Sequence, residues 1–104
     1  FGWLAKRYGL RQVAITGIDP ESEPGARTLA DVVDRVRRDH LTTIFVEPLV
    51  SARLADTVAR EAGATTAVLD PIEGLTDDES DRGDDYFTLM ARNLAALRKA
   101  LGCR

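Results

Sequence analysis

Apolar positions along this chain follow two alternating rhythms. Short runs of β-branched and apolar residues at Gln12–Thr16, Thr42–Glu47 and Thr65–Asp70 each read as a strand buried on both faces. Between them the spacing turns helical. Leu29, Val32, Val33 and Val36 keep the i, i+3, i+4, i+7 pattern, with Thr28 and Asp31 placed as in a capping box. Ser51 is positioned to cap a helix that carries Leu54, Val58 and Ala62 inward, and Gly63 to close it. Tyr86, Leu89, Met90, Leu94, Leu97 and Leu101 form the longest amphipathic stripe, and Gly102 sits where that helix would end.

The resulting order is a helix followed by three strand–helix units. It predicts an α/β fold: a Rossmann-like, three-layer α-β-α lobe around a short parallel sheet of about three strands. Three strands are few for this architecture. The loops Gly17–Ala26 and Pro71–Asp85 both leave the carboxyl edge of the sheet, where open α/β sheets bind their ligands. The second is long for a bare connection, so a functional or mobile loop is expected there.

Composition narrows the classes. With 104 residues, 44% hydrophobic and 30% charged, the chain reads as one globular domain over residues 1–104. A net charge of −3 with scattered basic residues argues against a nucleic-acid partner. Arg35, Arg37 and Arg38 fall at a helix end, where they complement the dipole. Cys103 is the single cysteine, so no internal disulfide forms. No apolar run is long enough to span a membrane and no signal peptide opens the chain. Phe1-Gly2-Trp3-Leu4-Ala5 starts inside an apolar helical segment with no cap before it, which reads as a fragment or a processed piece.

Candidate chemistry gathers at the strand tips. The run Ala64–Pro71 stops on Asp70, because Pro71 has no N–H to continue a ladder, and Glu47-Pro48 ends its strand in the same way. The two carboxylates could converge on one cation, act as an acid/base pair, or each cap the loop beyond. The acidic cluster Asp77, Asp78, Glu79, Asp81, Asp84 and Asp85 lacks the EF-hand alternation; it reads as a solvated loop that supplies an N-cap at Asp84 or Asp85. His40 is expected as a helix-end or turn residue, and with no second His a His-rich metal site within the chain is excluded. Trp3, Tyr8 and Phe87 are expected in the core. No Walker loop, dinucleotide fingerprint or nucleophile elbow is present, and no His lies near Cys103 in sequence, so nothing signals an enzyme.

Five segments in order carry a resemblance: Phe1–Leu10, Ile18–Pro24, Phe45–Pro48, Val68–Leu75 and Asp85–Leu94. Together they resemble the C-terminal lobe of the zinc/manganese-binding periplasmic solute-binding proteins of ABC importers (the cluster A-I metal receptors), and the likeness covers nearly the whole chain. It implies two α/β lobes joined by a long helix, with a divalent transition metal held in the cleft between them. It implies further that Asp70 is a metal ligand and that Glu47 lines the cleft or supports a ligand. The other ligand of this lobe would fall about three residues before Phe1, outside the sequence. The implied role is extracytoplasmic capture of Zn²⁺, favoured over Mn²⁺, and delivery to a membrane permease, with the N-terminal lobe as partner.

Tetrahedral zinc takes four donors, so Asp70 alone is not expected to hold it tightly in this chain. The resemblance also places a strand before Phe1. A lobe lacking its first strand has open sheet edges, and self-association is expected of it. Two other classes stay open on the residues alone. One is a small α/β enzyme using Glu47 and Asp70 with Mg²⁺ or as an acid/base pair; the other is an interaction module with no site.

Overall fold

The computed structural model describes residues 1–15 and 25–103. Two strands, β1 (Thr43–Val46) and β2 (Thr65–Val68), pair in parallel with Thr43 opposite Thr65 and Val46 opposite Val68. The ladder runs one step past each end, through Thr65 N–H to the Thr42 carbonyl and Leu69 N–H to the Val46 carbonyl, both 2.9 Å. Parallel strands need a crossover, supplied here by α3 (Arg53–Ala62). Before β1 come α1 (Gly2–Arg7) and α2 (Ala26–Arg38); after β2 come α4 (Asp77–Asp81) and α5 (Tyr86–Ala100).

The core lies on one face of this sheet. Val36 of α2, Ile44 of β1 and Ala55, Val58 and Ala59 of α3 are buried together, with Leu29, Val32, Val33 and Val46 packed around them. Small residues at 55 and 59 let α3 approach the sheet closely, and Val58 between them is 1% exposed. Side chains alternate across a pleated strand, so Leu69 falls on the face opposite to Ile44 and Val46. Leu69 and Leu89 of α5 are both buried there, and α5 packs against β2. The α-β-α layering expected of the chain is therefore present.

Several expectations are corrected. The described part of the first expected strand, Gln12–Ile15, joins no ladder; Thr16, Gly17 and Ile18–Pro24 lie outside the described residues. Residues 12–14 are exposed and only Ile15 reaches the core, so the apolar pattern alone does not recruit the segment to the sheet. Among the described residues the sheet thus has two strands rather than about three. Nor is β2 buried on both faces: Thr65, Thr66 and Val68 are exposed, Val68 by 52%. Trp3, Tyr8 and Phe87 are not core residues, at 85%, 72% and 79% exposure. The α1 and α5 helices bury little more than Ala5, Leu89 and Asn93.

Helix boundaries show the same mixture. Gly63 closes α3 in the left-handed conformation (φ 73°), as its position predicts. Asp85 caps α5 by accepting the Thr88 N–H at 2.9 Å. The Thr28/Asp31 capping box does not form, since α2 starts earlier, at Ala26 after Gly25. Ala52 rather than Ser51 is the cap residue of α3, although Ser51 Oγ still accepts the Arg53 N–H at 3.4 Å. The long Pro71–Asp85 connection contains α4, opened by a reciprocal capping box: Glu79 N–H donates to Thr76 Oγ1 and Thr76 N–H to Glu79 Oε2.

Candidate functional site

Asp70 ends the second strand at a place where three local constraints meet. The β ladder has its last bond to β1 at Leu69, and the Asp70 N–H and C=O fall on the other edge of β2, where no strand pairs among the described residues. Asn93 of α5 takes both of them: Asp70 N–H donates to Asn93 Oδ1 at 2.8 Å, and Asn93 Nδ2–H donates to the Asp70 carbonyl at 2.7 Å. The side chain then turns onto its own backbone, where Oδ1 accepts the Ile72 N–H at 2.7 Å. Ile72 holds φ at 60°, a left-handed conformation that a β-branched residue rarely adopts. Such backbone strain concentrates at ligand sites.

One oxygen is left over. Asp70 is 6% exposed, and its Oδ2 is buried with no hydrogen-bond partner. A buried carboxylate oxygen without a partner carries a desolvation cost that a cation would offset. Asp70 borders a shallow cavity of about 230 Å³ whose walls include Phe1, Leu4, Leu69, Met90 and Asn93. Apolar walls lower the local dielectric and strengthen the pull of that oxygen on a positive ligand.

Glu47 occupies a different environment. Continuing the strand register sets it opposite Leu69, one position short of Asp70, and it is exposed. Neither Asp70 oxygen bonds to it: Oδ1 is occupied by Ile72 and Oδ2 is free. The two strand tips therefore lie along one sheet edge without forming the shared-proton pair that acid/base chemistry at this position would use. Among the described residues no group of three or more His, Cys, Asp and Glu side chains is placed to hold a metal ion, the acidic stretch from Asp77 to Asp85 included.

That acidic stretch has a structural use instead. Asp84 bridges α4 to α5: Arg92 grips it through Nη1 at 2.6 Å and Nη2 at 2.8 Å, and Arg82 adds Nε and Nη2 to Oδ2 at 3.2 and 3.0 Å. Foremost the Arg92 hydrogen bond, and then Arg82, hold the Asp84 carboxyl below its usual range against the opposing effect of desolvation. The Thr88 N–H likewise lowers Asp85. These contacts fix the start of α5, and hence the height at which Asn93 meets Asp70.

The sequence pattern singled out Asp70 and Glu47 but missed Asn93, Arg92 and Ile72. Asn93 carried a usable signal: it stands four residues after Leu89, on the inward face of the helix, where an apolar side chain is the default.

The family described as ZnuA, zinc-uptake complex component A, periplasmic, matches residues 1–100. The chain belongs to this family. Among its zinc-uptake relatives is the high-affinity zinc uptake system protein ZnuA of Bacillus subtilis, 44% identical over 97% of the chain and 32% of that protein. The zinc-binding lipoprotein AdcA of Streptococcus pneumoniae is 41% identical over 95% of the chain and 20% of that protein. The chain thus spans about a third or less of the length of these relatives. In three dimensions it matches the Zn(II)-bound ZnuA-like domain of S. pneumoniae AdcA with a TM-score of 0.76, at 41% identity over 96% of the chain and 38% of that domain. It matches the laminin-binding protein Lbp of Streptococcus pyogenes with a TM-score of 0.82, at 36% identity over 97% of the chain and 38% of that structure.

Proposed function

We propose that this chain is the C-terminal lobe, residues 1–104, of an extracytoplasmic receptor that captures zinc and hands it to an ABC importer permease. Asp70 gives a carboxylate to the metal through Oδ2, and the other donors come from the rest of the longer protein. The observation that carries this reading is the buried, unpartnered Oδ2 at a strand end in a chain of the zinc-uptake family. Zinc is preferred over manganese because the relatives are named for zinc. Glu47, exposed at the neighbouring strand tip, lines the mouth of the cleft. Capture and release require no bond-making step, so the chain is read as a transport receptor and not as an enzyme. The aromatic face of α1 and α5, with Trp3 and Phe87, is covered by other parts of the receptor.

The test is calorimetry of the full-length protein with Zn²⁺, Mn²⁺ and Mg²⁺, repeated with Asp70→Ala. Removing a metal ligand is expected to cost at least about 100-fold in zinc affinity, more than the loss typical of outer-sphere changes. Unchanged zinc affinity in Asp70→Ala would remove Asp70 from the ligand set. Tight Mg²⁺ binding with no response to Zn²⁺ would favour the enzyme reading.

A further inference from the structure

We infer that Asn93 is the positioning residue of the Asp70 site: its side-chain amide stands in for a missing neighbouring strand and holds the Asp70 backbone at the wall of the cavity, with Oδ2 left without a partner. The inference rests on the proposed ligand role of Asp70 and adds a residue to it. An amide side chain presents a carbonyl acceptor and two N–H donors, so it can offer the same acceptor–donor pair as a strand. Here both are used on a single residue, at 2.8 and 2.7 Å, and Asn93 is 4% exposed. Without it, two backbone groups of Asp70 would be buried and unpaired on the edge of β2 that no strand joins among the described residues.

The placement of Asn93 is itself supported from both sides. Leu89, one turn earlier on the same face, is 2% exposed and anchors the helix in the interior. Arg92, the adjacent residue, is locked to Asp84 in bidentate fashion. The helix therefore cannot slide or rotate without breaking one of these contacts, and Asn93 delivers its amide at a set height. Its bonds reach only the main chain of Asp70. The carboxylate keeps Oδ1 on Ile72 and leaves Oδ2 for a ligand. Asn93 lines the same cavity, and its amide acts on the site through the Asp70 main chain.

The experiment measures zinc affinity by competition with a chelator, together with the metal-free Tm, in the full-length protein. Four variants are compared: Asn93→Leu, which keeps the branched shape and loses both bonds; Asn93→Ser, which falls short of Asp70; Val58→Ala, which perturbs the core on the opposite face of the sheet; and Asp70→Ala. Residues that orient a metal ligand typically contribute about 10- to 100-fold in affinity. Asn93→Leu and Asn93→Ser should lose affinity in that range. Val58→Ala should lower the Tm at least as much and leave zinc affinity unchanged. Should Asn93→Leu fail to fold, Asn93→Ser decides alone. If Asp70→Ala loses affinity while the Asn93 variants retain it, the positioning role is overturned and the ligand reading stands. Equal affinity loss in Val58→Ala overturns it too, since the effect then belongs to general stability. If Asp70→Ala binds zinc normally, the ligand reading falls and this inference with it.

Discussion

At the scale of single residues, Asp84 illustrates how an acidic cluster serves structure. Its carboxyl is held below the ordinary range by Arg92 first and Arg82 after it. A depressed carboxylate pKa means that the folded state releases the proton more readily than the unfolded chain. The stability it contributes is present above the ordinary carboxylate range and is lost as pH falls through and below it. Asp84→Asn is accordingly expected to lower the Tm near pH 7 and to flatten the fall in stability between about pH 5 and pH 3. A pH series of thermal melts checks this; parallel wild-type and variant curves would exclude the Arg92 contact as a source of acid sensitivity. Ile72 shows a different use of a single residue. Ile72→Pro would remove the N–H that engages Asp70 Oδ1 and forbid the φ of 60°. Weaker zinc binding by the full-length protein, read by calorimetry, is the expected outcome.

At the scale of elements, helix ends explain why the site is built where it is. Asp85 caps α5, and Asp85→Ala should lower the midpoint of denaturant unfolding. Gly63 ends α3 at φ 73° with nothing within 4 Å of a Cβ added there. Any loss in Gly63→Ala is therefore conformational, about 1–2 kcal/mol. A larger loss would mean that the turn between α3 and β2 repacks. That turn feeds β2 toward Asp70, so its register matters to the site. How far these features were legible differs from one to the next. Gly63 and Asp85 were, since their conformational and capping preferences are local. The Thr28/Asp31 box was not, because α2 starts at Ala26 and places those residues inside the helix. Short-range motifs compete, and packing selects among them.

At the scale of the molecule, the narrow sheet governs behaviour. With β2 largely exposed and Val68 at 52%, the strand offers both an edge and an apolar face to other chains. The 104-residue chain by itself is expected to self-associate, as judged by light scattering, and Val68→Lys should reduce the apparent mass. A monodisperse monomer at high concentration would overturn this. The same argument applies to Trp3, Tyr86, Phe87 and Leu94, which stand exposed on α1 and α5. A hydrophobic dye should bind the isolated chain and lose that binding in the longer receptor, where the proposed partner lobe covers the face.

By itself the sequence determined the alternation of strands and helices, the helix that crosses between β1 and β2, and the carboxylate at a strand end before a proline. Those features follow from side-chain periodicity and from the missing N–H of Pro71, which act over a few residues. Only the tertiary structure decided that Gln12–Ile15 would not pair, that three aromatic residues would lie outside, and that Asp70 would be buried with one oxygen free. Each of these depends on a neighbour distant in the chain. Asn93, 23 residues beyond Asp70, is the clearest instance: its amide acquires a purpose only when α5 is laid beside the end of β2.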